Sequence, residues 1–375
     1  MTIFRLALAL VIPVIIALLS TGCGSGTPLD PGIPVDGTRI LVANSLGETL
    51  SQFIYTNDAY LTQNDLMPTG SAPNFILIND DKGYILNSTS NSVLVFDTLT
   101  MSVIFEASVG TGKSPYNMAF VNDDELIITN FVANDCVRMN ISENYTGDRI
   151  KATIPMPSGI DLPKDSGVVT TSATPEAVVV VDSNAYVTLA NLDMSTFAAG
   201  GPGLIGIIDL TTNQFMGTVQ TTGRNTVGLC PNPVFPNELF VLSAGDIDTD
   251  TFQWLDNGKI DVFTTNSPGI THSVDVDGAP FEMVVASNGY GYIADASAGK
   301  ILTLDTINLT FGSTIQVVEG SGLSYISGLA IGPNYLLYAI EFNNDQLVII
   351  DTASDNEIVQ RISTGDGPDA ITVIW

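Results

Sequence analysis

The sequence predicts an all-β protein, a seven-bladed β-propeller of four-stranded blades in which the C-terminal strand completes the first blade. Three observations predict it. Short β-branched runs bounded by Gly, Asn, Asp and Pro recur in a fixed order through the chain. No stretch after residue 38 holds a helical period. The chain also ends on a first run of the repeat, and the matching second and third runs stand at the other end of the domain.

Residues 1–22 read as an export signal: Arg5 precedes an apolar run over residues 6–19, then small residues, then Cys23. The run is too short for a comfortable membrane span. Residues 23–37 are rich in Gly, Pro and Ser without an apolar period, which describes a tether. The folded domain is expected over residues 38–375. First runs begin near positions 73, 115, 175, 225, 280, 325 and 368, so seven blades are expected. Second runs include residues 84–87, 126–130, 292–295 and 337–341, and third runs include 93–97, 136–140, 301–305 and 347–351. Several third runs end in Asp (Asp97, Asp209, Asp305, Asp351), where a carboxylate can bond its own backbone two residues on and fix a tight turn. The last copy, residues 368–375, has nothing after it, whereas residues 39–44 match a second run and 50–56 a third. Residues 371–374 are therefore expected alongside residues 40–43, closing the ring and removing two sheet edges.

The repeated residues Tyr84-Ile-Leu-Asn87, Ile127-Ile-Thr-Asn130 and the runs ending in Asp-Thr resemble the YVTN family of β-propeller repeats. That resemblance implies a fold and leaves function open, because such propellers serve as enzymes, surface proteins and scaffolds. Leu19-Ser-Thr-Gly-Cys23 resembles a bacterial lipoprotein lipobox, with the bulky aliphatic residue four before the cysteine. It implies acylation at Cys23 and anchoring to membrane lipid at the bacterial envelope, at the outer membrane or cell surface. Cys136 and Cys230 sit singly in apolar runs of different blades and read as small buried hydrophobes.

Twelve Lys and Arg against 40 Asp and Glu give a net charge of −28, which excludes nucleic-acid binding through a basic footprint. A hydrophobic content of 45% excludes global disorder. The single histidine, His272, is expected on an outermost strand, so histidine acid–base chemistry and triads have no material. The GxGxxG match at residues 201–206 precedes a strand, which fails the context that a dinucleotide site requires.

Three insertions fall in consecutive blades on one face, called the top: residues 158–174 before blade 4, 190–203 within blade 4 and 243–258 within blade 5. Long loops on a rigid frame are where binding residues concentrate. In the last of them Asp246, Asp248 and Asp250 alternate, with Asp256 nearby, a calcium candidate that reads equally as a solvated acidic loop. Phe252 and Trp254 are candidate contacts, or a small core of the loop's own. Lys113 and Arg224 precede the first strands of blades 3 and 5, where they either orient an anionic ligand or pair with nearby carboxylates. The expected function is a non-catalytic scaffold that binds an envelope protein or extracellular ligand through the top loops of blades 3–5. The alternative is a metal-dependent, lactonase-like hydrolase with carboxylates at the propeller mouth.

Overall fold

The computed structural model describes residues 37–375 apart from 57–58, 160, 169–170 and 319–324, so the expected export signal and Cys23 lie outside the described residues. Seven four-stranded antiparallel sheets form the blades of a β-propeller. Besides strands, one short 3-10 turn, Pro333–Tyr335, is the helical element among the described residues. No described helix is long and apolar enough to cross a membrane.

The inner strands are Pro368–Ile374, Pro73–Asn79, Pro115–Asn122, Pro175–Val181, Thr226–Pro231, Pro280–Val285 and Ile326–Ile331, for blades 1 to 7. Blade 1 is completed across the termini: Pro368–Ile374 pairs with Arg39–Asn44, with Ile371 opposite Val42 and Val373 opposite Ile40. Closure leaves Arg39–Asn44 paired on both sides instead of standing at a sheet edge.

Each joint between neighbouring blades holds its own apolar cluster. Blades 2 and 3 meet through Phe75, Leu86, Met118 and Ile128, and blades 7 and 1 through Tyr338, Ile349, Ile40 and Val42. The middle strands are buried on both faces, which is why they read as continuous apolar runs; the outer strands, such as Thr310–Gln316, are largely exposed. Polar joints reinforce these clusters near the axis. Asn74 Nδ2 donates to the Tyr116 carbonyl at 3.0 Å, Thr129 Oγ1 to the Glu176 carbonyl at 2.5 Å, and Ser327 Oγ to the Pro368 carbonyl at 2.6 Å. Each stitches one blade to the backbone of the next. Between blades 5 and 6 the stitch is replaced by close approach: a Cβ on Gly228 would lie 2.8 Å from the Phe281 carbonyl oxygen, so only glycine fits.

The turns follow the repeated acid. Asp97, Asp305 and Asp351 each accept the backbone N–H two residues on, at 2.9, 3.0 and 2.9 Å. These carboxylates are structural. Cys136 and Cys230 are buried and unbridged, in blades 3 and 5.

Deleting residues 368–375 removes the inner strand of blade 1 and exposes the edge of Arg39–Asn44. The truncated protein is expected to elute as aggregate and to lose its cooperative melting transition, by size-exclusion chromatography and scanning calorimetry. A monomer that melts cooperatively would contradict closure as the stabilising device.

Candidate functional site

Every inner strand breaks its pairing register at its first or second residue. Pro73 opposes Asn87 but Phe75 opposes Leu86, so Asn74 is extra; the same shift isolates Tyr116, Val227, Phe281, Ser327 and Asp369, and Glu176 lies within the corresponding shift of blade 4. A bulge frees one side chain from the alternation of the ladder and re-aims it. Because the inner strands surround the axis and run away from the top, the seven freed residues form a ring at the upper mouth of the channel.

The ring is buried, and polar apart from Val227 and Phe281. Asn74, Tyr116, Glu176, Ser327 and Asp369 are buried, as is Glu282 one position further along blade 6. Tyr116 belongs to blade 3, yet its hydroxyl feels the charge of Glu176, Asp369 and Glu282 from blades 4, 1 and 6. Blades 3, 1 and 6 are not neighbours, so these groups meet across the axis. Glu282 Oε2 accepts the Leu329 N–H at 2.8 Å. Both amide atoms of Asn117 and Asn74 Oδ1 close no hydrogen bond of ordinary geometry. Burial pushes the Glu176 carboxyl well above the usual range, and interaction with the Tyr116 hydroxyl offsets this only in part. Burial, with the carboxylates behind it, raises Tyr116 in the same way, and Tyr325 is raised by burial and by Asp369.

Aromatic pairs roof the mouth. Tyr116 stacks on Phe131 at 5.9 Å between centroids and Tyr325 on Phe342 at 5.1 Å. Phe131 and Phe342 each follow the last residue of a second strand, so the repeat itself aims them over the channel. Trp254 meets Phe281 edge-to-face at 5.1 Å, and Phe197 packs against the same cluster.

The insertions of blades 3–5 complete the roof as one unit. Ser172 and Leu192 exchange backbone hydrogen bonds at 2.8 and 3.0 Å, joining the insertion before blade 4 to the one within it. Arg224 then reaches all three insertions: its NH2 binds Asp165 Oδ2 at 2.6 Å and the Ala199 carbonyl at 2.9 Å, and its Nε binds Asp246 Oδ1 at 2.7 Å. The pairing with two carboxylates, set against the cost of partial burial, raises its pKa.

The residues singled out in the sequence therefore take different places. Arg224 is a clamp between loops, and Lys113 Nζ is bound to Asp135 within blade 3, so neither cation faces the mouth unpaired. Trp254 folds inward as part of the roof, whereas Phe252 is 47% exposed at the loop tip, its backbone at φ 57. A bulky residue in that left-handed region is an outlier. Asp246 is held by Arg224 and Asn257, and Asp248 ties off the turn by accepting the N–H groups of Asp250 and Thr251, each at 2.9 Å. Asp246, Asp248, Asp250 and Asp256 do not converge, and no group of three or more His, Cys, Asp or Glu arranged for a metal ion occurs among the described residues. His272 lies exposed on the outer strand Gly269–Val276. The ring of Glu176, Asp369 and Tyr116 was not singled out. Its signal was present: a carboxylate directly after the proline that opens an apolar strand, at Pro175-Glu176 and Pro368-Asp369.

No family model and no curated protein matches the sequence. The fold does match solved structures. A candidate 6-phosphogluconolactonase from Bacteroides fragilis aligns with a TM-score of 0.68 at 13% identity, over 92% of this chain and 100% of that one. Hydrazine synthase from Kuenenia stuttgartiensis aligns at 0.63 and 15%, over 80% and 95%. Virginiamycin B lyase from Staphylococcus aureus aligns at 0.58 and 14%, over 80% and 87%. At such identities the likeness establishes the propeller alone.

A carboxyl whose pKa is raised by folding holds its proton in the native state, so its contribution to stability is full below the ordinary glutamate range and is lost as the pH rises. Glu176→Gln removes this loss. The melting temperature of the variant minus that of the wild type is expected to be near zero in acid and to grow in its favour towards neutral pH. A difference independent of pH would contradict the assignment.

Proposed function

We propose that this chain is a lipid-anchored, YVTN-like propeller of the bacterial envelope that acts as a non-catalytic binding module through its top face over blades 3–5. The observation that carries the reading is the Arg224 clamp, which turns three separate insertions into one preorganised surface. Apolar side chains are exposed on that surface: Met194 in blade 4, Phe252 and Leu255 in blade 5, and Val132 in the adjoining loop of blade 3. Preorganised aromatic and aliphatic groups are the usual anchors of protein recognition. The described chain enters the ring at Arg39, the lower end of its strand, on the face opposite the insertions.

A second reading, a lactonase-like hydrolase, is favoured by the carboxylates of Glu176, Glu282 and Asp369 at the mouth. It requires a metal or another activator of water. Calcium that raises the melting temperature and supports lactone hydrolysis would favour it over the binding module.

Replacing residues 190–201 and 244–257 by short turns is expected to lower retention on isolated envelopes by roughly tenfold or more, with the ring still melting cooperatively. Unchanged retention would defeat the reading. Arg224→Ala is expected to cost about 1–3 kcal/mol, read by denaturant unfolding, and to open residues 158–174 to limited proteolysis. Cys23→Ser is expected to move the protein from the membrane to the soluble fraction.

A further inference from the structure

The face opposite the insertions is divided, and the division follows the repeat. On this lower face lies the turn that joins the inner strand of a blade to its second strand. In blades 2, 3 and 4 that turn carries exposed acids: Asp80 and Asp81, Asp123 and Asp124, and Asp182. In blades 5, 6 and 7 an aromatic residue stands there instead, Phe235, Tyr290 and Tyr335, and residues 232–237, 286–290 and 332–335 hold no charge. The inner strand of blade 1 ends at the same face in Trp375, next to Ile374, which opposes Arg39. Phe235, Tyr290 and Trp375 are 44%, 49% and 48% exposed, and Tyr335 is half-buried.

Because blade 7 adjoins blade 1, these aromatics form a crescent, one to a blade, along one side of the lower face. Between blades 5 and 6 the apolar surface is continuous. A Cβ on Gly289 would lie 3.6 Å from Ile307 Cδ1 and 3.8 Å from Val234 Cγ2, and Ile307 is itself exposed. The acids that border these turns, Glu238, Asp305 and Asp351, are each engaged by a side chain or backbone group of their own blade. Apolar side chains gathered in this way mark a contact surface.

Three observations say what the crescent meets. The described chain begins at Gly37 and pairs Arg39 with Ile374 beside Trp375, so residues 1–36, with their apolar run over 6–19, attach at one end of the crescent. The aromatics stand on successive turns, a layout that meets a plane. Tyr and Trp join an apolar ring to a polar tip, the composition of side chains at a bilayer–water interface. The turns also lack charge in a protein of net charge −28, which suits a neutral headgroup layer and not a charged partner.

We propose that the aromatic crescent of blades 5, 6, 7 and 1 rests on a zwitterionic lipid surface, with Phe235, Tyr290 and Trp375 in the headgroup layer. The acidic turns of blades 2–4 tilt away from the lipid, and the clamped insertions face solvent. The inference rests on the membrane-anchoring part of the function proposed above.

The chain has two tryptophans, and Trp254 belongs to the roof of the other face, so Trp375 is a built-in probe. The acylated full-length protein is placed on phosphatidylcholine vesicles with and without brominated acyl chains, and tryptophan emission is read after flotation. Brominated lipid is expected to quench the emission, and the quenched component is expected to vanish in Trp375→Phe. Phe235→Ser combined with Tyr290→Ser is expected to lower the quenching about twofold or more while the protein still floats. Phosphatidylglycerol mixed into the vesicles at low salt is expected to lower it as well, because the acidic turns share the face. Protein that floats with Trp375 unquenched overturns the docking and leaves the anchor standing; protein that fails to float overturns both. Quenching that persists in Trp375→Phe turns the other face to the lipid and overturns the proposal. So does a lipid-free dimer that shields Trp375 from iodide, which gives the crescent to a second copy. Should the variants fail to fold, hydroxyl-radical footprinting of the wild type decides: protection of Phe235, Tyr290 and Trp375 on vesicles supports the docking, and equal labelling with and without vesicles overturns it.

Discussion

The pairing of the last strand with the first is the contact on which the remainder depends. A sheet of four strands is stable only when its faces are covered, and here each blade covers its neighbours through an apolar cluster at every joint. Such covering has no natural end unless the last blade meets the first. Ile371 opposite Val42 is where it does. Because the seven-fold circle is complete, the inner strands are held around one axis, and whatever departs from their ladder is delivered to the centre.

That delivery explains how a protein of net charge −28 gathers acid groups in its buried centre. Loss of hydration at Glu176 and Asp369 is a cost that the rest of the fold must offset. The joints meet that cost through Leu, Ile and Val packing and through stitches such as Ser327 to Pro368, so some bulge residues join blades while others place polar groups at the mouth. The insertions add a second separation: Trp254 and Phe197 turn inward to the roof, while Phe252 turns outward, and Arg224 holds the loops that carry them in register.

Blade number, closure and the position of the insertions were legible in the sequence because each rests on a local pattern that repeats. The Asp that ends a third run bonds within its own turn, so spacing alone reveals it. The partners of Arg224 lie 59 and 22 residues away, and nothing in their spacing pairs them. The ring was invisible for another reason. A period of two marks inward and outward faces, and Glu176 and Asp369 sit where that period is interrupted by one residue. A reader of alternation assigns them to a face they do not occupy. Trp254 shows the reverse case, an aromatic in a long polar loop that looks like a surface contact but serves as internal cover.

The bulges carry an evolutionary corollary. Because Asn74, Tyr116, Val227, Phe281, Ser327 and Asp369 stand outside the one-to-one register, their identities are decoupled from the hydrogen-bond ladder. Selection can vary such a residue without disturbing the ladder only where its side chain is not already committed, as Asn74 and Ser327 are to stitching blades and Val227 and Phe281 to the apolar core.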